Sequence, residues 1–191
     1  MCGRYVLGEY DIDAIERRFH AGARGKYELR SRYNVAPNDV MPVVVRDTLS
    51  FLRWGYAPPW ATRTVINARN ETLTEKAYFR QAEHCLVPAI GFYEWQRTPA
   101  GKVPHFLTTE DQELLAFAGV CNENGYAIVT VPASGVAAAI HARMPLVLTA
   151  EDEASWLRGN EVSEGRELVA LPVSAVVNRV GTDGPELLAP V

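Results

Sequence analysis

From residue 85 to residue 131 the chain is dominated by apolar segments: "CLVPAIGFYEW", "VPHFLTT", "LLAFAGV" and "YAIVTV" follow one another with short polar breaks. Runs of this length, rich in β-branched and aromatic residues and bounded by turn formers, are strand signals. Their succession predicts strands of one sheet system. "RYNVAPNDVMPVVVRD" adds a turn leading into a short strand, and "LSFLRWGYAPPW" a second strand ending in a proline-stiffened aromatic loop. "LVALPVSAVVNRV" closes with strand character.

Helical signals are sparser. Ile12, Ile15 and Phe19 recur at helical spacing, which predicts a helix near residues 9–20. Thr72 followed by Glu75 resembles a capping box, so a second helix is expected to carry Ala77, Tyr78 and Phe79. "TAEDEASWL" predicts a last helix, with Thr149 as the expected N-cap, acids in the first turn and Gly159 after the end. "AGARGKYELRSR" reads as an exposed basic loop broken by glycine. Strands outnumber helices without regular alternation, so the expected class is α+β. A length of 191 residues and a hydrophobic fraction of 48% suit one domain over 1–191.

No apolar run approaches the ~20 residues that span a bilayer, and the start lacks a basic-then-apolar leader. A cytoplasmic protein without a membrane partner is expected. Cys2, Cys85 and Cys121 are odd in number and irregularly spaced, which argues against a disulfide framework. Cys85 and Cys121 read as buried small hydrophobes, and the absence of ligand spacing argues against a metal. The net charge of −4 conceals an asymmetry. Residues 1–109 hold 15 Lys and Arg against 11 Asp and Glu, and residues 110–191 hold 4 against 12. Sixteen of the 19 cations are arginine, whose planar fork suits phosphate, although codon bias explains it as simply.

Four polar residues stand where a plain core would not place them. Cys2 lies behind the initiator methionine, and removal of Met1 would leave a free amine and a thiol on adjacent carbons. The plainer alternative is a buried terminal anchor. Asn67 ends an apolar stretch in "VINARNET", where it could also be an ordinary turn former. Glu94 follows apolar and aromatic residues in "AIGFYEWQ"; it either points to solvent or needs a partner or a proton. His141 in "AAAIHARMPLVL" is presented by a turn or satisfied in the core. Together they form a parts list of nucleophile, polarising amide, proton donor and base. Trp54, Tyr56 and Trp60 interleave with Pro58, Pro59, Arg53 and Arg63, which suits either core packing or stacking of single-stranded bases.

"MCGRY", "RYNVAP", "WGYAPPW", "INARNET", "GFYEW", "IHARMPLVL" and "VSAVVNRVGTDGPELL", in this order along the whole chain, resemble the SOS response-associated peptidase (SRAP) family of abasic-site processing proteins. The resemblance implies one compact domain with a branched, partly barrel-like β structure flanked by helices. It implies action on abasic sites in single-stranded DNA, by a monomer without cofactor or metal. Cys2 corresponds to the crosslinking nucleophile, and Asn67, Glu94 and His141 fall on the other active-site positions. Arg4, Asn34, Pro37, Trp54, Trp60, Arg69 and Arg143 fall in segments expected to line the DNA groove. An N-terminal cysteine can form an imine with the ring-opened sugar aldehyde and then close a thiazolidine through sulfur. Self-removal of Met1, a lyase-type reaction and Glu94-assisted reversal belong to the same expectation. The rival readings are an N-terminal-nucleophile amidohydrolase and a non-catalytic single-stranded DNA-binding module.

Overall fold

The apolar stretch does not lie in one sheet. In the computed structural model, which describes residues 2–25, 27–162 and 165–191, it divides between two. In chain order the elements are β1 (Arg4–Val6), α1 (Ile12–Phe19), β2 (Gly22–Ala23), β3 (Val40–Val45), β4 (Thr48–Arg53), β5 (Asn67–Arg69), β6 (Glu83–Ala89) and β7 (Gly91–Thr98). There follow β8 (Gly101–Thr108), β9 (Leu115–Asn122), β10 (Gly125–Pro132), α2 (Gly135–Ala138), β11 (Arg143–Pro145), β12 (Val147–Leu148), α3 (Ala150–Leu157) and β13 (Val169–Pro172). The smaller sheet runs β1-β7-β8-β13, and the larger β11-β10-β9-β6-β3-β4-β2. The chain changes sheet at Ile90, between β6 and β7. Gly91 permits this because a Cβ there would stand 2.4 Å from Leu107 O.

The α+β class is as expected, and so is the branching. β9 pairs with β10 at Gly119–Asn122 and with β12 at Ala116–Phe117. Between them Leu146 bridges both strands, donating to Val129 O at 2.9 Å and accepting from Ala118 N at 2.8 Å. The sheets remain open, so the barrel-like closure is corrected: among the described residues β2 and β13 end the two sheets as separate edges.

Sequence-local signals account for α1 and α3. Asp11 caps α1 by accepting from Ala14 N at 2.7 Å, and Ile15 and Phe19 are its buried face. Thr149 caps α3, and the buried Trp156 docks it on β6 and β9 by donating to Cys85 O at 3.1 Å and Gly119 O at 3.2 Å. The helix expected after Thr72 is absent. Residues 70–72 form one 3-10 turn, and isolated turns follow to residue 81. Tertiary packing overrides the capping signal there. Neighbouring Tyr78 and Phe79 both pack on Tyr56, at 5.9 and 5.4 Å between ring centroids, whereas a helix would turn adjacent side chains ~100° apart. The closing segment is strand only over β13; a 3-10 turn at Ala175–Asn178 then buries Val177.

Where β1 and β7 face β9 and β10, the core is aromatic. Tyr5 meets Trp54 edge-on at 5.2 Å and Phe117 at 6.3 Å. Trp54 stacks on Tyr126, whose hydroxyl lies 2.8 Å from that of Tyr5. Such ring pairs contribute about 0.5–1.5 kcal/mol each beyond the area they bury. They make a stiff floor under the first residues of the chain.

Candidate functional site

Four separated segments meet above that floor. Cys2 precedes β1, and pairing of Arg4 with Tyr93 brings it alongside the strand that carries Glu94. Asn67 opens β5, which lies parallel to β10 with Asn67 opposite Ile128. Its Nδ2 donates to Cys2 O at 2.8 Å, so the amide fixes the backbone of residue 2. Alternation along β7 turns Glu94 and Gln96 to one face. Gln96 donates to Ala139 O at 3.1 Å and thereby pins the turn after α2. Two residues on, His141 Nδ1 stands 3.9 Å from Glu94 Oε2.

The four differ in access. Cys2 is fully buried and Glu94 only 7% exposed, whereas the His141 side chain is one-third exposed at 33%. The Cys2 thiol donates to Arg4 O over 3.6 Å. Burial pushes its pKa well up, and the Glu94 charge pushes in the same direction, so the sulfur is a neutral thiol at pH 7. His141 Nδ1 lies 3.0 Å from both the N and the O of Arg143, so it has a backbone partner in either tautomer. Asn67 Oδ1 is buried without a hydrogen-bond partner among the described residues. The arrangement therefore offers a tethered neutral thiol, an amide oxygen without a partner among the described residues, and a carboxylate 3.9 Å from an imidazole nitrogen.

The seven groove residues divide. Trp60 is 65% exposed on the proline loop, its edge against Tyr78 at 5.5 Å. Arg69 is exposed two positions beyond Asn67, and Pro37 is half-buried in the turn at 36–39. Arg4 is half-buried beside the site. Arg143 is held by Glu71 as a bidentate pair, with one contact at 3.0 Å, and donates to Thr130 O. Two expectations need correction. Trp54 is buried in the aromatic core with its indole N–H donating to Ile66 O at 2.9 Å, which leaves no face for a base. Asn34 is equally buried, with its amide turned to Arg4, Val177, Arg179 and Thr182. Sequence reasoning passed over Glu71 and Asp183, although both stand in quoted segments. An acid between two arginines in "NARNET…HAR" and an Asp-Gly pair in "VGTDG" were the available signals. A cavity of about 670 Å³ lined by Ser134, Val136, Met144 and Leu168 lies beside α2. Met144 alternates with Arg143 along β11, so this cavity opens on the strand face away from Glu71.

Fold and site define a class: an open-sheet α+β protein that presents a cysteine at residue 2 to a carboxylate–imidazole pair. The chain belongs to the SOS response associated peptidase (SRAP) family, whose family model matches residues 1–180. It is 33% identical to the abasic site processing protein YoqW of Bacillus subtilis, over 98% of this chain and 99% of that protein. Abasic site processing protein YedK of Escherichia coli is 33% identical over the whole of both chains. HMCES of Gallus gallus, of the same description, is 30% identical over 87% of this chain and 68% of its own length. A crystal structure of a protein from Bacteroides thetaiotaomicron shares the fold with a TM-score of 0.83 at 20% identity, each chain covered completely.

Proposed function

We propose that this protein recognises abasic sites in single-stranded DNA and captures them covalently through Cys2, after removal of Met1, which lies outside the described residues. The observation that carries this reading is the convergence of Cys2, Asn67, Glu94 and His141 from four distant segments, in a chain whose relatives are named for abasic site processing.

The α-amine of Cys2 attacks the C1′ aldehyde of the opened sugar. The carbinolamine takes up a proton on its hydroxyl and loses water to form an imine. The thiol then adds to the imine carbon while its proton passes to nitrogen, closing a five-membered thiazolidine. One water leaves in all, and no external redox partner is required. A buried site suits this order. Burial keeps the sulfur protonated until it is needed. Covalent linkage of the two nucleophiles gives the second step the advantage of an intramolecular reaction.

Asn67 holds the residue-2 backbone, and its vacant Oδ1 accepts from the opened sugar. Glu94 and His141 move the protons of the dehydration step and, in reverse, reprotonate the leaving amine. The same groups would serve self-removal of Met1 or strand scission of lyase type. Arg4, Arg69, Arg143 and Trp60 supply phosphate contacts and a stacking face, and Pro37 a stiff edge, for a single strand bound by a monomer in the cytoplasm.

The test is a denaturing gel. An oligonucleotide with one abasic site should give a slowly migrating band that survives boiling in detergent, and Cys2→Ala or retained Met1 should remove it. A band that persists in Cys2→Ala, or ammonia release from glutamine without any band, would overturn the reading in favour of another nucleophile or an amidohydrolase. With intact strands, affinity should fall with salt at a slope of about −0.7 per phosphate neutralised.

A further inference from the structure

Asn34 is 1% exposed, yet its side chain joins the two ends of the molecule. Oδ1 accepts from Arg4 Nη1 at 3.0 Å. Nδ2 faces the carbonyl oxygens of Val177, Arg179 and Thr182 at 3.3, 3.1 and 2.9 Å. A guanidinium can only donate and a carbonyl can only accept, so the amide has one orientation, with Oδ1 toward Arg4 and its two N–H groups shared among the three carbonyls. Arg4 Nη1 also reaches Val177 O at 3.3 Å. One nitrogen of the guanidinium is thereby clamped between Asn34 and the closing segment. Among the described residues Nη2 and Nε take no hydrogen bond and remain available to a ligand.

The clamp has a second layer. Asp183 Oδ1 accepts from the backbone N–H groups of Tyr33 and Asn34, the latter at 2.9 Å, and Oδ2 accepts from Arg32 Nε at 2.7 Å. Asn178 Oδ1 accepts from Trp95 Nε1 at 2.7 Å, which ties the same segment to the strand bearing Glu94. Residues 177–183 therefore form a strap across the start of the chain, with Asn34 as its buckle.

We infer that Asn34 is a positioning residue: without touching DNA it sets the Arg4 guanidinium toward a strand phosphate, by holding Arg4 against the 177–183 strap. This rests on the single-stranded DNA reading above but not on the crosslinking chemistry, so it is tested with intact strands. Anisotropy of a labelled undamaged oligonucleotide is measured over a salt series for wild type, Asn34→Ala, Arg4→Ala and the double variant. Asn34→Ala should weaken binding about tenfold, as loss of one charge-assisted contact does. It should also flatten the salt slope by about 0.7. The double variant should bind no worse than Arg4→Ala. Asp183→Asn, which loosens the strap without altering either side chain, should follow the same pattern and carries the cycle if Asn34→Ala does not fold. Additive losses in the double variant, a loss of affinity with an unchanged salt slope, or a wild-type protein that binds no intact strand would each overturn the inference. Intact-strand binding with no heat-stable adduct on abasic DNA would instead sink only the crosslinking proposal.

Discussion

At the scale of single residues the site is a set of divided tasks. Glu94 is nearly buried and His141 partly exposed, 3.9 Å apart, and the proposed function gives them the proton transfers between the thiol side and solvent. Removing the carboxylate charge while keeping its shape isolates that role. Glu94→Gln is expected to slow adduct formation about 100-fold, the lower range for a positioned acid or base. Single-turnover kinetics on an abasic strand reads this directly, and an unchanged rate would assign the protons elsewhere. Asn67 has a structural task beside its proposed chemical one. Asn67→Ala loses the 2.8 Å bond to Cys2 O, and should lower unfolding free energy by about 1 kcal/mol while also slowing adduct formation. Urea unfolding and the gel assay together separate the two effects.

At the scale of elements, the β7–β8 hairpin positions Glu94 and His141, because β7 holds Glu94 and pins the His141 turn through Gln96. Its entry is tight: a methyl at Gly91 would meet Leu107 O at 2.4 Å and the Phe106 ring at 2.6 Å. Gly91→Ala is therefore expected to cost about 1–3 kcal/mol by forcing β7 from β8. Differential scanning calorimetry should show a lowered midpoint, and adduct formation should slow with it. An equal midpoint would mean the hairpin shifts without strain. Helix termini are more forgiving. Asp11→Ala removes one cap bond at α1, an element that carries none of the four candidate site residues, and should cost about 1 kcal/mol in urea unfolding without changing the adduct rate.

Across the whole molecule the aromatic floor makes stability sensitive to alkali. Burial raises the phenols of Tyr5, Tyr93 and Tyr126 well above the usual tyrosine value, and it raises the Cys2 and Cys85 thiols likewise. In the unfolded chain thiols ionise near ~8.5 and phenols near ~10, while the folded state keeps those protons. Above these values the unfolded state binds fewer protons than the native state, so stability falls as pH rises. The contribution is complete below about pH 8 and declines by about 1.4 kcal/mol per pH unit for each group past its unfolded value. Urea midpoints followed from pH 8 to about pH 11 should therefore drop, steepening near ~10. Tyr126→Phe removes one titrating phenol and should flatten that limb; a flat profile in the unmodified protein would contradict the burial of these groups.

Much of this molecule was legible in the residues themselves. Local periodicity and capping chemistry act within a few positions, so α1 from its periodicity, α3 with Thr149 and strands β3, β4 and β6–β10 could be read directly. The division of those strands between two open sheets could not, because pairing depends on which edges meet after Ile90 turns the chain. The helix expected beyond Thr72 failed for the same reason: contacts of Tyr78 and Phe79 with a ring at residue 56 outweighed a local cap. At the site, the residue types of Cys2, Asn67, Glu94 and His141 were already suggestive. Their distances, and the reversal of Trp54 and Asn34 from groove lining to interior, were settled by long-range packing. A side chain's chemistry is written in its own covalent structure, whereas its solvent exposure and partners are set by segments far away in the chain.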